Sequence, residues 1–181
     1  PENNEIMMSG AFVMKGYYKD KERTDETIKD GWLCTGDQGK IDEDGYLYIT
    51  GRVKDTFKTS KGEFIEPLGL EKFFGDIVEF EQICIVGLGN PQPMLLVVLS
   101  ESGKSTDKNT LKSMIENKLV AVNKDLVSYK RISTIIFVKD DWNPENEILT
   151  PTMKIKRNKI NDKYHGKFKD WSDNKETVIW E

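Results

Sequence analysis

Histidine is nearly missing from this chain, cysteine is scarce, and no apolar run is long. The single histidine, His165, stands beside Gly166 with no cysteine or acid cluster around it. Neither a histidine-based metal site nor a histidine general base is expected, and His165 is read as a surface residue. Cys34 and Cys84 lie far apart and outside CxxC spacing, which argues against a thiolate metal site and a disulfide framework and for a reducing cytoplasm. The longest apolar runs, such as residues 94–99, have the length of a strand, whereas a bilayer requires roughly 20 residues. No signal peptide, internal repeat or low-complexity tract is visible. An excess of either charge is also missing: 27 basic residues face 31 acidic ones, a net −4 that gives no general reason to expect nucleic acid. There is no initiator methionine, and Glu5-Ile6-Met7-Met8-Ser9-Gly10 reads as a strand entering a turn with no earlier strand to pair with. The chain is therefore expected to be cut from something longer.

What is present suffices for a core. Hydrophobic residues make up 37% and charged residues 32%, a globular balance. Gly39-Lys40-Ile41 and Tyr46-Leu47-Tyr48-Ile49 form a predicted hairpin across Asp42-Glu43-Asp44-Gly45, an Asp-Gly turn. A calcium-loop reading of that turn fails, because the remaining ligands of such a loop are missing at their spacing. Gly62 marks a turn, Pro67 suits the first turn of a helix, and Leu70, Phe73, Phe74 and Ile77 form one helical stripe. Residues 82–86, 94–99 and 134–138 are apolar runs that fit strands covered by helices. Gly87-Leu88-Gly89-Asn90-Pro91 between the first two is a plain turn, since Pro91 and Pro93 prevent a helix from opening there. Ser105, Thr106 or Asp107 caps a helix with Leu111, Met114, Ile115, Leu119 and Val122 on one face. A short terminal helix is expected near residues 157–163. The fold class is α+β: a small C-terminal domain with a central sheet flanked by helices, preceded by a remnant of a β-rich subdomain.

Four motifs carry the chemistry. In Gly31-Trp32-Leu33-Cys34-Thr35-Gly36-Asp37 a glycine lets the backbone turn and exposes the carboxylate that follows. Gly51-Arg52-Val53-Lys54-Asp55 supplies a guanidinium and a second carboxylate, and a carboxylate accepts hydrogen bonds from two vicinal hydroxyls, which suits a nucleotide sugar. Ser60-Lys61-Gly62-Glu63 and the run from Leu149 to Arg157, Leu-Thr-Pro-Thr-Met-Lys-Ile-Lys-Arg, complete the set. In this order the motifs resemble the C-terminal part of an acyl-adenylate-forming (AMP-binding) ligase, and within that family the long-chain fatty acid CoA ligases.

The resemblance implies specific roles. Residues 1–54 would be the end of a large N-terminal adenylate-binding domain, and residues 55–181 a mobile lid. Asp37 would hold the adenylate ribose with Arg52 assisting, Asp55 would be the hinge, and Ser60, Lys61, Gly62 and Glu63 would line the pantetheine path. Lys154 would be the catalytic lysine, bridging phosphoryl and carboxyl oxygens during adenylation, with Lys156 the fallback. Many relatives have a second glycine where Lys61 stands, and glycine where this chain has Met153. ATP with Mg2+ and CoA are the implied cofactors and fatty acid the substrate. The family's phosphate-gripping Ser/Thr/Gly loop is not found, so the fragment is expected to be inactive alone. No protein metal site and no nucleic acid are expected, while peripheral membrane contact of a full-length enzyme stays open. Two other readings remain: an enzyme loading a carrier protein, and a basic nucleic-acid or anionic-membrane module. The second rests on residues 151–169, where Lys154, Lys156, Arg157, Lys159, Lys163, Lys167 and Lys169 meet one acid, Asp162, among Tyr164, Phe168 and Trp171.

Overall fold

The computed structural model describes residues 3–181. The chain divides into two compact units, the first ending at Thr56 and the second running Phe57–Glu181.

The first unit is organised by one long strand. Its elements are β1 (Glu5–Met8), α1 (Lys21–Thr27), β2 (Ile28–Lys29), β3 (Trp32–Ile41) and β4 (Leu47–Arg52), closed by a 3-10 turn at Val53–Asp55. β3 pairs antiparallel with β1, β2 and β4, and the β3–β4 hairpin turns through Asp42, whose carboxylate accepts from the amides of Asp44 and Tyr46. Those amides hold the Asp42 carboxyl below the usual carboxylate range, Tyr46 foremost. Ile41, Tyr46, Leu47, Tyr48 and Ile49 are all exposed in this hairpin. α1 escapes a pattern-based reading because Lys-Glu-Arg-Thr-Asp-Glu-Thr buries no residue; it is set by a local cap, the Asp20 carboxylate accepting from the Arg23 amide at 3.0 Å.

The second unit is a sheet between two helical layers. It begins with the hairpin β5 (Phe57–Lys58) and β6 (Phe64–Ile65), then α2 (Pro67–Glu71). β7 (Phe80–Val86), β8 (Met94–Leu99), α3 (Glu101–Ser105), α4 (Lys108–Lys124), β9 (Ile135–Phe137), α5 (Arg157–Asp173) and β10 (Val178–Trp180) follow. The sheet order is β10-β9-β8-β7, with β8 antiparallel to β7 and parallel to β9, which is parallel to β10. Alternation along β8 splits the core. Leu95 and Val97 pack with Leu111, Ile115 and Leu119 of α4, while Met94, Leu96 and Val98 pack with Ile160, Tyr164, Phe168 and Trp171 of α5. A strand covered on both sides has no reason to carry polar residues, hence its continuous apolar run.

Three expectations change. The stripe from Leu70 to Ile77 gives a helix only to Glu71, after which the amides of Phe73, Phe74 and Ile77 bond three residues back. Gly69 and Gly75 both weaken a continued helix, and Phe73 is left exposed while Phe74 is fully buried. The terminal helix runs to Asp173 rather than stopping near residue 163, because Tyr164, Phe168 and Trp171 extend its buried face. Of the predicted α4 face, Met114 lies at the edge and is 39% exposed. Asp107 is the cap, accepting from the Thr110 amide at 3.0 Å, and that bond lowers its carboxyl pKa.

Candidate functional site

Asp37 and Arg52 are cross-strand partners in β3 and β4, and the Arg52 Nε donates to Asp37 Oδ1 at 3.0 Å. Next to Asp37, Gly36 takes φ +76°, where L residues are strained, at the point where β3 bulges out of register with β1. The strand is braced there, with the Thr35 hydroxyl donating to the Ile6 carbonyl and the Gly36 amide to Glu5 Oε1. Both charged side chains stay largely exposed, 39% for Asp37 and 64% for Arg52. An ion pair so wet contributes about 0–1 kcal/mol, so its consequence is orientation of the carboxylate rather than stability.

Asp55 is half-buried at the end of the 3-10 turn. Its neighbour Thr56 donates to Gln38 Oε1 at 2.9 Å, and Gln38, 5% exposed, donates in turn to the Asn3 carbonyl. Sequence reasoning passed over Gln38, since a glutamine in a strand carries no motif; its burial beside the turn is its only signal.

Ser60, Lys61, Gly62 and Glu63 form the tip of the β5–β6 hairpin. The Gly62 amide donates to the Thr59 carbonyl at 3.0 Å and the Thr59 amide to Glu63, with Gly62 at φ +83°. All four residues are exposed, whereas Thr59 is buried. The Ser60 amide bonds the Asn90 carbonyl, and the Asn90 side chain donates to the Phe168 carbonyl at 3.1 Å. Asn90 thus ties this turn to α5, another role without a sequence motif. An open cleft of about 480 Å3 lies alongside, lined in part by Ser60, Asn90, His165 and Lys169. His165 is exposed, as read from the sequence.

Lys154 sits on a tight turn. Leu149 and Ile155 pair across it, the Thr150 amide donates to the Lys154 carbonyl at 2.8 Å, and the Lys154 amide to Thr150 Oγ1 at 3.0 Å. Met153 takes φ +61° to close the turn, a left-handed position that glycine occupies without cost. Buried Leu149 anchors one arm, and the Lys156 amide bonds the Ile148 carbonyl on the other.

The basic run around Lys154 is not a uniform solvated patch. Lys159 pairs with Glu147 at 3.0 Å, Lys163 with Asp140 at 2.8 Å, Lys167 with Glu181, and Arg157 with Glu71 at 2.6 Å. Among the described residues, the Lys154 ammonium has no such partner and is exposed. Tyr164, Phe168 and Trp171 are buried to 1%, 2% and 8% exposure. Helical spacing turns all three inward, so the aromatics that the nucleic-acid or membrane reading requires are core residues. No group of three His, Cys, Asp or Glu among the described residues could hold a metal ion, and no helix there is long and apolar enough to cross a membrane.

The profile of the AMP-binding enzyme C-terminal domain matches residues 41–175. The chain belongs to this family. Fatty acyl-CoA synthetase B of Dictyostelium discoideum is 30% identical to it over 187 residues, covering 93% of this chain and 28% of that protein. The chloroplastic long-chain-fatty-acid (acyl-carrier-protein) ligase AEE15 of Arabidopsis thaliana is 31% identical over 175 residues, covering 88% and 24%. In structure the chain resembles the A domain of carboxylic acid reductase from Segniliparus rugosus, solved with AMP and a co-purified carboxylic acid: the TM-score is 0.76 at 26% identity, over 92% of this chain and 27% of that one. This AMP-binding C-terminal domain chain thus spans about a quarter of the length of the curated relatives it matches.

Proposed function

We propose that this chain is the C-terminal part of an ATP-dependent long-chain fatty acid CoA ligase acting in the cytoplasm, with residues 1–54 ending the large adenylate-binding domain and residues 55–181 forming the mobile lid. The exposed apolar hairpin around Ile41 and Leu47 supports the first assignment, as a surface for the rest of that domain to cover. The observation that carries the function is the exposed Lys154 ammonium on a braced turn, without an acid partner among the described residues, while Arg157, Lys159 and Lys163 nearby are paired with acids.

In the first half-reaction a fatty acid carboxylate oxygen attacks the α-phosphorus of ATP, and the bond to pyrophosphate breaks. Negative charge accumulates on oxygens that repel one another, and a compact ammonium placed between them offsets it in the transition state. Asp37, oriented by Arg52, accepts from the ribose hydroxyls. Rotation about Asp55 then withdraws Lys154 and presents the Ser60–Glu63 turn, where the CoA thiolate attacks the acyl carbon and AMP leaves. Mg2+ would accompany the ATP phosphates; no carboxylate cluster among the described residues could hold it.

The test uses the intact ligase. Pyrophosphate exchange should depend on a long-chain fatty acid far more than on acetate, and the acyl group should pass to free CoA. Transfer only to a phosphopantetheinyl carrier protein would favour the carrier-loading reading, which the name of the Arabidopsis relative keeps in view.

A further inference from the structure

The first residue of α5 is tied to the end of α2 by a nearly buried ion pair. Arg157 Nη2 reaches both carboxylate oxygens of Glu71 at 2.6 Å, and the side chains are only 18% and 12% exposed. The pair also closes an edge strand. β7 is the last strand of its sheet, and Ile85 on it has its amide bonded to Glu71 Oε1 at 2.7 Å and its carbonyl to Arg157 Nη1 at 3.2 Å. A charge-assisted pair with this many fixed partners sets direction as well as distance.

Its place in the chain gives it a consequence. Arg157 follows Lys156, the cap of α5, and so stands at the root of the Lys154 turn. Glu71 ends α2, which opens immediately after β6 and hence after the Ser60–Glu63 turn. The two loops that the ligase reading puts to use in successive half-reactions therefore hang from the two ends of one ionic joint. Hydrophobic contacts alone would let either loop slide, whereas this joint holds both against the same residue of β7.

We infer that Glu71 and Arg157 are positioning residues that fix the Lys154 turn against the frame carrying the Ser60–Glu63 turn. The inference rests on the ligase reading of Lys154. Misplacement of a catalytic group by about 1 Å is enough to slow a reaction on the order of 10²-fold, so small shifts at this joint matter. Arg157→Lys keeps the charge but not the planar set of donors, and Glu71→Gln keeps the shape but not the charge.

The experiment is a mutant cycle in the intact ligase, reading pyrophosphate exchange, with thermal unfolding alongside. Glu71→Gln and Arg157→Lys should each lower kcat for adenylation on the order of tenfold, with KM for ATP unchanged. In a Lys154→Ala background the same substitutions should cost nothing further, since there is no ammonium left to misplace. A purely structural joint would give the same fractional loss in both backgrounds, and that result overturns the inference, as does full activity of both single variants. Full adenylation by Lys154→Ala alone would instead remove the catalytic role of Lys154 on which the inference rests.

Discussion

At the residue scale, charge has been sorted rather than accumulated. Asp37 shows the distinction: its pair with Arg52 is too exposed to stabilise the fold appreciably, yet it aims a carboxylate. Asp37→Asn should therefore leave the melting temperature nearly unchanged and raise KM for ATP in the intact ligase by about tenfold or more, the effect of losing a hydrogen bond to a charged group. Steady-state kinetics at varied ATP checks it; a fall in kcat with constant KM would place Asp37 elsewhere in the reaction. The lysines of α5 pair with acids in contacts about as exposed, so each pair adds little to stability and its effect shows in the acid it faces. The Lys163 hydrogen bond holds the Asp140 carboxyl below its ordinary value, and Lys159 does the same for Glu147. Burial lowers the Lys163 ammonium pKa, but Asp140 and Tyr164 together outweigh this and the net shift is upward. The depressed carboxyls stabilise the folded chain above the ordinary carboxylate range and lose that contribution as pH falls through their folded values. The melting temperature should be flat from neutral to about pH 5 and fall below about pH 4, with Asp140→Asn flattening part of that acid limb. A fall that begins near pH 6.5, where an ordinary histidine titrates, would contradict this.

At the element scale, α5 is an amphipathic helix whose polar face was legible and whose apolar face was not. Lys159, Lys163, Lys167 and Lys169, interleaved with them, mask the inward spacing of Ile160, Tyr164, Phe168 and Trp171 when each residue is read singly. Phe168 is 2% exposed. Phe168→Ala should destabilise the chain by about 3–5 kcal/mol, the range for deleting a buried aromatic ring, in urea unfolding with an unchanged slope. A cost under about 1 kcal/mol would return the aromatics to the surface. The strands and α4 were legible because their apolar runs and the Asp107 cap are local signals. α1 was not, having no apolar face, and β10 was not, because three residues gain strand geometry only by pairing with β9. The early end of α2 lies between these cases: the stripe predicted a helix, while Gly69 and Gly75 let the chain tighten into turns that bury Phe74 and expose Phe73. In the candidate site, the motif residues could be named from the sequence, whereas Gln38, Glu71 and Asn90 could not. They act by where the fold puts them, and no spacing records that.

At the scale of the whole molecule, two compact units meet in sequence where the 3-10 turn ends, with Asp55 in the turn and Thr56 tied back to buried Gln38. A hinge requires only a few residues to absorb a torsional change. Asp55→Pro fixes one torsion, and in the intact ligase it should impair one half-reaction strongly while leaving the other largely intact, as separate assays of pyrophosphate exchange and thioester formation would show. Equal loss of both would argue against a hinge. In the proposed function mobility matters, because Lys154 would be useful only while charge is brought together on phosphorus and would have to leave before the thiol arrives. The account turns on that ammonium, and comparing the two half-reactions of the Lys154→Ala ligase tests it most directly. Acyl-adenylate formation should fall on the order of 10²-fold or more, by analogy with deletion of a preorganised transition-state donor, while thioester formation from supplied acyl-AMP stays near the parent rate; equal losses in the two steps would contradict it.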